Sequence, residues 1–242
     1  MDLNWTHLAF AAGGATLALW LGSRNRRFSH AGNASFSPLH PKELPTDPYE
    51  LLNRWMAEAE NSSGFLEAHA MTLATCDAEG GATARTVVLQ LAGEEHGGLM
   101  FGSNRLSLKA RQTTADGRAE VVLRFGQRQA RVRGTLRLDE TKSALSFSRV
   151  APKARLGLST LEQGRAIDEA GHAKIAAQID QLMAQGHEQA LVEPPSNYVA
   201  FVLAPSSFEF YNGGHPAYLN DRFLYLRAKD GVRFAAPVRL QA

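Results

Sequence analysis

The chain is short of several things that whole classes of protein need. It has one cysteine, Cys76, among 242 residues. Neither an intramolecular disulfide nor a thiolate cage for zinc or an iron–sulfur cluster can form, and a reducing, cytoplasmic compartment is expected. It has almost no excess charge: 26 Lys+Arg against 24 Asp+Glu leave +2, too little to hold nucleic acid by neutralising phosphates. Its eight histidines never fall in an HExxH or HxH pattern, so no metal is expected. Missing too are a GxSxG elbow, a GxGxxG turn after a strand and a GxxxxGK[ST] loop, which argues against serine hydrolase, Rossmann and P-loop chemistry. What remains is an ordinary globular composition, 44% hydrophobic, 21% charged and 8% aromatic, fitting one domain with appendages.

Long apolar runs are scarce as well. Leu8 to Leu21 (LAFAAGGATLALWL) carries no charge and is followed by Arg24, Arg26 and Arg27. At ~1.5 Å per residue it reaches about 21 Å, short of a ~30 Å hydrocarbon core. Asp2 stands ahead of the run and the arginines behind it, the reverse of a secretory signal. Two readings stay open: a membrane-touching anchor with its Arg flank on the cytoplasmic side, or a docked or frayed tail that includes an over-called start. Residues 28–46 turn to Ser, Asn, Pro and His without periodicity and read as a linker. The chain thus divides into an apolar segment at 1–27, a linker at 28–46 and a folded body at 47–242.

The body opens with a helix signal. Asp47-Pro48-Tyr49-Glu50 supplies a cap acceptor, a proline at the first helical position and a Glu three residues after the cap. Tyr49, Leu52, Met56 and Ala59 then share a face. Beyond this helix the pattern is mainly strand, at Met71–Cys76, Thr83–Leu91, Gly98–Ser103, Ala119–Phe125 and Gln129–Leu138, separated by turn sequences such as Asp77-Ala78-Glu79-Gly80-Gly81. Helical stretches interrupt at Leu106–Thr114, Glu140–Arg149 and Glu169–Gln185, the last with Ala173, Ala176, Ile179, Leu182 and Met183 as its apolar stripe. Strands at Tyr198–Leu203, Ser207–Tyr211, Arg222–Leu226 and Val232–Leu240 close the chain. The expectation is a mainly β, α+β fold: an antiparallel barrel or sandwich. The arginines at 124, 128, 131, 133 and 137 lack a neighbouring aromatic platform and read as a solvated strand face with one or two anion ligands, not a nucleic-acid surface.

Several segments, in order, carry a resemblance. Asp47 to Met56 (DPYELLNRWM), Ala70 to Thr75 (AMTLAT), Ala84 to Leu89 (ARTVVL), Phe101 to Gln112 (FGSNRLSLKARQ), Arg128 to Gly134 (RQARVRG), Phe208 to Gly213 (FEFYNG) and Leu219 to Tyr225 (LNDRFLY) together resemble the pyridoxine/pyridoxamine 5'-phosphate oxidase family over about residues 47 to 242. The resemblance implies an FMN-binding split β-barrel, dimeric, with FMN in a cleft between subunits. Carried over position by position, it assigns FMN contacts to Arg85, Thr86, Val87, Val88, Leu89 and Gln90, to Gly102 and Ser103, to Lys109, and to Gln129, Gln163, Tyr211 and Arg222. Tyr211 stands where the family has Trp, and Leu108 where it has a second phosphate-binding Arg. A phosphate with nearly two charges needs fixed cations and hydroxyl donors, which Arg85, Lys109 and Ser103 can supply. The apolar residues Val87, Leu89, Val121 and Leu123, with the helix from Glu169, are expected to add to a homodimer surface.

The substrate side departs from that family. Where its members grip a vitamer phosphate with Lys, Tyr, Arg and Ser, this chain has Gln90, Ser146 or Phe147, Arg149 and a residue near Ala154. The ring-setting Arg-x-His is replaced by Tyr218-Leu219-Asn220. Gln90, Arg149, Tyr218 and Asn220 are therefore the candidate substrate contacts, with no catalytic residue assigned. Three readings are open: an FMN-dependent oxidoreductase acting on another small substrate, CH–NH2 and CH–OH donors among them; a divergent oxidase making pyridoxal 5'-phosphate with O2; or a non-catalytic flavin- or PLP-binding module.

Overall fold

The computed structural model describes residues 37–187, 191–215 and 219–241. The apolar run at 8–21 and Tyr218 lie outside the described residues. Among those described, no helix is long and apolar enough to cross a membrane.

Helix α1 (Pro48–Ser63) begins where the cap signal predicts: the Asp47 carboxylate accepts from the Tyr49 N–H at 3.0 Å, meeting one of the helix's orphan donors. Its inner face buries Leu51, Leu52, Trp55 and Met56, and Trp55 meets Phe210 edge to face at 5.3 Å. Gly64, at φ 84°, stops it. A five-residue helix, α2 (Phe65–His69), then leads into the sheet.

Nine antiparallel strands make one sheet: β1 (Ala70–Cys76), β2 (Ala82–Val88), β3 (Leu91–Gly93), β4 (Gly98–Asn104), β5 (Arg118–Phe125), β6 (Arg128–Asp139), β7 (Tyr198–Asn212), β8 (Asp221–Leu226) and β9 (Val238–Arg239). Their order is β2-β1-β5-β6-β7-β4-β3, with β8 on β7 and β9 on β8. The helices α3 (Leu108–Ala115), α4 (Ser143–Ser148), α5 (Pro152–Thr160) and α6 (Glu169–Ala184) sit in its connections. Register sorts residues onto two faces. Leu73, Val121, Val132, Phe208 and Tyr225 form one cross-strand row in the core. One position further along each strand the side chains turn outward, as a pleat requires.

The two outermost strands, β2 and β3, are consecutive in the chain. Leu89 donates its N–H to the His69 carbonyl beside β1 at 2.9 Å, and Gln90 donates to Met100 on β4 at 2.8 Å. Two residues thus carry the backbone from one edge of the sheet to the other, and the sheet curls without closing: a split barrel, as expected.

The differences from the sequence reading have local causes. Tyr198–Leu203 and Ser207–Tyr211 are one strand, because a register shift at Arg133/Gly134 absorbs the extra residue around Pro205 and Ser206. The expected strand Thr83–Leu91 divides after Val88, where the chain changes partner. Glu140–Arg149 becomes a 3-10 turn followed by α4, and α2 and α5 were not anticipated. Val232–Leu240 shrinks to β9 and an isolated bridge between Arg227 and Phe234. Within the stretch read as linker, Leu39 and Leu44 pack on the core, and Leu39 donates to the Asp221 carboxylate at 2.8 Å. Leu89, Val121 and Leu123 are fully buried in the chain's own core, so they add nothing to a docking surface. Helix α6, in contrast, has no fully buried residue, although Ile175, Ile179, Leu182 and Met183 are half-buried.

Gly98 holds φ 130°, and a Cβ there would lie 1.9 Å from the Leu203 carbonyl oxygen. Gly98→Ala is expected to cost about 3 kcal/mol or more, lowering the thermal midpoint by roughly 6–12 °C. An unchanged midpoint would show that β4 and β7 do not approach this closely.

Candidate functional site

The site residues divide into two groups. The first gathers at the β2 margin. Arg85 shares the Leu73 row, so its side chain leaves the core face at the sheet's edge. Its guanidinium donates to the hydroxyls of Thr75 and Thr83, both at 2.6 Å, to Gln112 Oε1 at 3.1 Å and to the Leu73 carbonyl at 3.3 Å. Gln112 and Lys109 come from α3, one turn apart and both buried. Lys109 Nζ donates to Ser103 Oγ at 2.8 Å, and Ser103 donates onward to Gln163 Oε1 at 3.5 Å. Arg85, Ser103, Lys109 and Gln163 are therefore brought together.

The electrostatics of this pocket are one-sided. Every acceptor these hydrogen bonds give Arg85 and Lys109 is neutral. Burial, then the neighbouring Arg85 cation, lowers the Lys109 ammonium to about 8, and burial lowers Arg85 as well. Two cations held together without a carboxylate make a site that an anion completes.

Thr75, Thr83 and Gln112 were missed by the sequence reading. The spacing of Lys109 and Gln112, three apart on one helix, was the available signal.

The rest of the 85–90 segment alternates. Thr86 and Val88 are exposed on one side, Val87 packs against the core, and Leu89 is fully buried. Gly102 lies on the opposite face of β4 from Ser103, where a Cβ would sit 1.6 Å from Tyr198 Oη; the glycine makes room for that phenol. Tyr198 Oη meets Ser146 Oγ at 2.7 Å, Ser146 donates to Gln90 Oε1 at 2.6 Å, and Gln90 Nε2 donates to the Ser146 carbonyl at 3.1 Å. Burial raises the Tyr198 pKa, which keeps the phenol a neutral donor.

The second group lies across the sheet. Gln129, Tyr211 and Arg222 are successive partners on β6, β7 and β8. They stand one position beyond the buried row Ala130, Phe210 and Phe223, hence on the outer face. One chain does not unite them with Arg85 and Lys109. The arginines nearby are paired: Arg133 and Arg131 both reach Glu120, Arg131 also reaches Glu209, and Glu209 reaches Arg222.

Of the substrate candidates, Gln90 is tied to α4, and Arg149 is exposed just past that helix. Asn220 accepts from the His215 N–H at 3.2 Å, on the loop before β8. Among the described residues no hydrogen bond joins Asn220 to Gln90 or Arg149. A cavity of about 910 Å³ lies elsewhere, between the end of α5 and α6, with Leu161, Ile167, Lys174 and Ile175 in its lining.

The chain is thus a split barrel that carries, at its margin, a pair of cations with only neutral hydrogen-bond acceptors around them. No family model matches the chain. Among curated proteins it is 31% identical over 199 residues to a pyridoxine/pyridoxamine 5'-phosphate oxidase of Rhodopirellula baltica, covering 81% of this chain and 87% of the relative. It is 32% identical to the protein of that name from Microcystis aeruginosa, covering 78% and 86%. The chain belongs to the pyridoxine/pyridoxamine 5'-phosphate oxidase family. Among solved structures, PhzG of Burkholderia lata, crystallised with tetrahydrophenazine-1-carboxylic acid, matches with TM-score 0.70 at 24% identity, over 86% of this chain and all of that one. A pyridoxamine 5'-phosphate oxidase-related, FMN-binding protein of Nostoc punctiforme matches with TM-score 0.62 at 19% identity, over 83% and 99%. Both share the fold.

Lys109 gives the pocket a pH signature. Its folded value of about 8 lies below the ordinary 10.5, so between those values the unfolded chain binds more protons. Stability conferred at this position therefore rises as pH climbs from about 8 towards 10.5. Lys109→Met is expected to remove that rise, read as the difference in urea midpoint between variant and parent across the window. Parallel midpoints would mean that Lys109 is not desolvated.

Proposed function

We propose that the protein is an FMN-dependent oxidoreductase of this family, acting as a homodimer on a small substrate other than the usual vitamer phosphate. The observation that carries the cofactor reading is the Arg85–Lys109 pair with only neutral acceptors around it. In this reading Arg85 and Lys109 hold the FMN phosphate, Ser103 adds a hydroxyl, and Gln163 closes over it. When bound, the flavin supplies the ring that accepts or donates hydride. Gln129, Tyr211 and Arg222 face away from that pocket in the same chain. A second copy presenting this row would complete the ring contacts, which is the support for a dimer.

The substrate reading rests on the neutral chain of Gln90, Ser146 and Tyr198. Where the family resemblance calls for a phosphate-gripping Lys and Tyr, this chain has Gln90 and either Ser146 or Phe147, and Gln90 and Ser146 are bonded to each other. Each charge-assisted bond given up costs a phosphorylated ligand ~1.5–3 kcal/mol. The relatives named above are oxidases of the phosphorylated vitamer by name, while the structural neighbour PhzG was crystallised with an unphosphorylated carboxylic acid.

Incubated with excess FMN, the protein is expected to retain about one flavin per subunit and to scatter light as twice its 26.3 kDa chain mass. Arg85→Ala with Lys109→Ala should lose the flavin, by about 3 kcal/mol or more. Wild-type protein without flavin absorbance would sink the cofactor reading, and a flavin-loaded monomer the dimer.

Pyridoxamine 5'-phosphate is expected to be a poor substrate in a peroxide-release assay. Gln90→Lys with Tyr218→Arg and Asn220→His should raise that activity at least tenfold. Turnover by the unmodified protein at roughly 1 per second or faster, with micromolar KM, would overturn the substrate reading.

A further inference from the structure

His69 stands where the barrel's seam is made. It is the last residue of α2, buried, and its backbone carbonyl accepts the Leu89 N–H at 2.9 Å. Its side chain turns to the same peptide neighbour: Nδ1 lies 2.9 Å from the Leu89 carbonyl oxygen. On its far side Nε2 lies 2.5 Å from Glu60 Oε1 near the end of α1. Phe65 stacks on the ring, with centroids 4.0 Å apart and planes 22° from parallel.

These contacts have two consequences. A backbone carbonyl oxygen only accepts, so Nδ1 is the donor in the contact with Leu89, and Glu60 holds the other ring nitrogen. And the bond to Leu89 falls where β2 has run out of ladder. The β1–β2 register ends at the pair Ala70 and Val88, and the next residues cross to β4, where Gln90 donates to Met100. The His69 side chain supplies the donor that the Leu89 carbonyl would otherwise lack as the strand departs.

We infer that His69, braced by Glu60, is a positioning residue that fixes the Leu89–Gln90 crossing. It sets where the Gln90 amide stands against Ser146. It acts through Leu89 and touches no ligand itself. The functional weight of the crossing rests on the reading in which residues 85–90 line the flavin.

Two substitutions separate the contacts, because Asn Nδ2 occupies the place of His Nδ1 and Gln Nε2 the place of His Nε2. His69→Asn keeps a donor for the Leu89 carbonyl and drops Glu60. His69→Gln does the reverse. In full-length protein without flavin, hydrogen exchange at the Leu89 and Gln90 amides is expected to stay within about twofold of the parent in His69→Asn. In His69→Gln it should quicken about tenfold, the loss of one hydrogen bond. FMN dissociation constants should rank in the same order. In the unmodified protein, nitrogen NMR should show a proton on His69 Nδ1. A parent His69 with no proton on Nδ1, or equal exchange in the Asn and Gln variants, would overturn the inference. The exchange and NMR readings need no flavin, so a failure to bind FMN would count against the proposed function alone.

Discussion

Two positive charges, Arg85 and Lys109, occupy one half-buried pocket in which every hydrogen-bond acceptor is neutral. Arrangements of this kind are costly to a folded chain, since like charges repel and burial strips their hydration. Much of the local structure is explicable as support for that pair. The β1–β2 ladder puts Thr75 and Thr83 on either side of the guanidinium. Gln112 Oε1 takes hydrogen bonds from both threonines and from Arg85. Helix α3, capped by Ser107, delivers Lys109 and Gln112 on one face, and β4 brings Ser103 up to the ammonium.

The parts of this pocket differed in how plainly they could be read. Arg85, Ser103 and Lys109 lie within contiguous motifs whose order along the chain carries the family resemblance. Gln112 lies inside one of those motifs and still passed without a role, because a neutral amide that organises donors has no signature apart from its spacing. The crossing at Leu89–Gln90 was hidden inside the strand-like run Val87-Val88-Leu89-Gln90-Leu91, since a change of partner strand leaves no mark in residue type. The stretch around Pro205 stood as a gap between the expected strands Tyr198–Leu203 and Ser207–Tyr211, yet β7 runs through it because β6 shifts register at Gly134, where a Cβ would strike the Ala204 carbonyl. Helix α2, at five residues, is too short to show a period. The bond between Gln90 and Ser146 spans 56 positions, a distance over which one sequence holds no information.

On the far side of β4 the chemistry is of another kind. Gln90, Ser146 and Tyr198 satisfy one another with neutral groups, and Gly102 makes the space for the Tyr198 phenol. With the phenol donating to Ser146 and Ser146 donating to Gln90, the amide's orientation is set from within the protein. Such a wall discriminates by hydrogen-bond direction and shape, where a cationic wall would discriminate by charge.

The ladder on the outer face, Arg133–Glu120–Arg131–Glu209–Arg222, has a consequence for anything that docks there. Three guanidinium groups stand against two carboxylates, so most of the charge is offset along the strands that carry it and the face offers only a small net field to steer a partner from a distance. Association across this face would be governed by fit and by the release of water, and its strength would vary little with ionic strength.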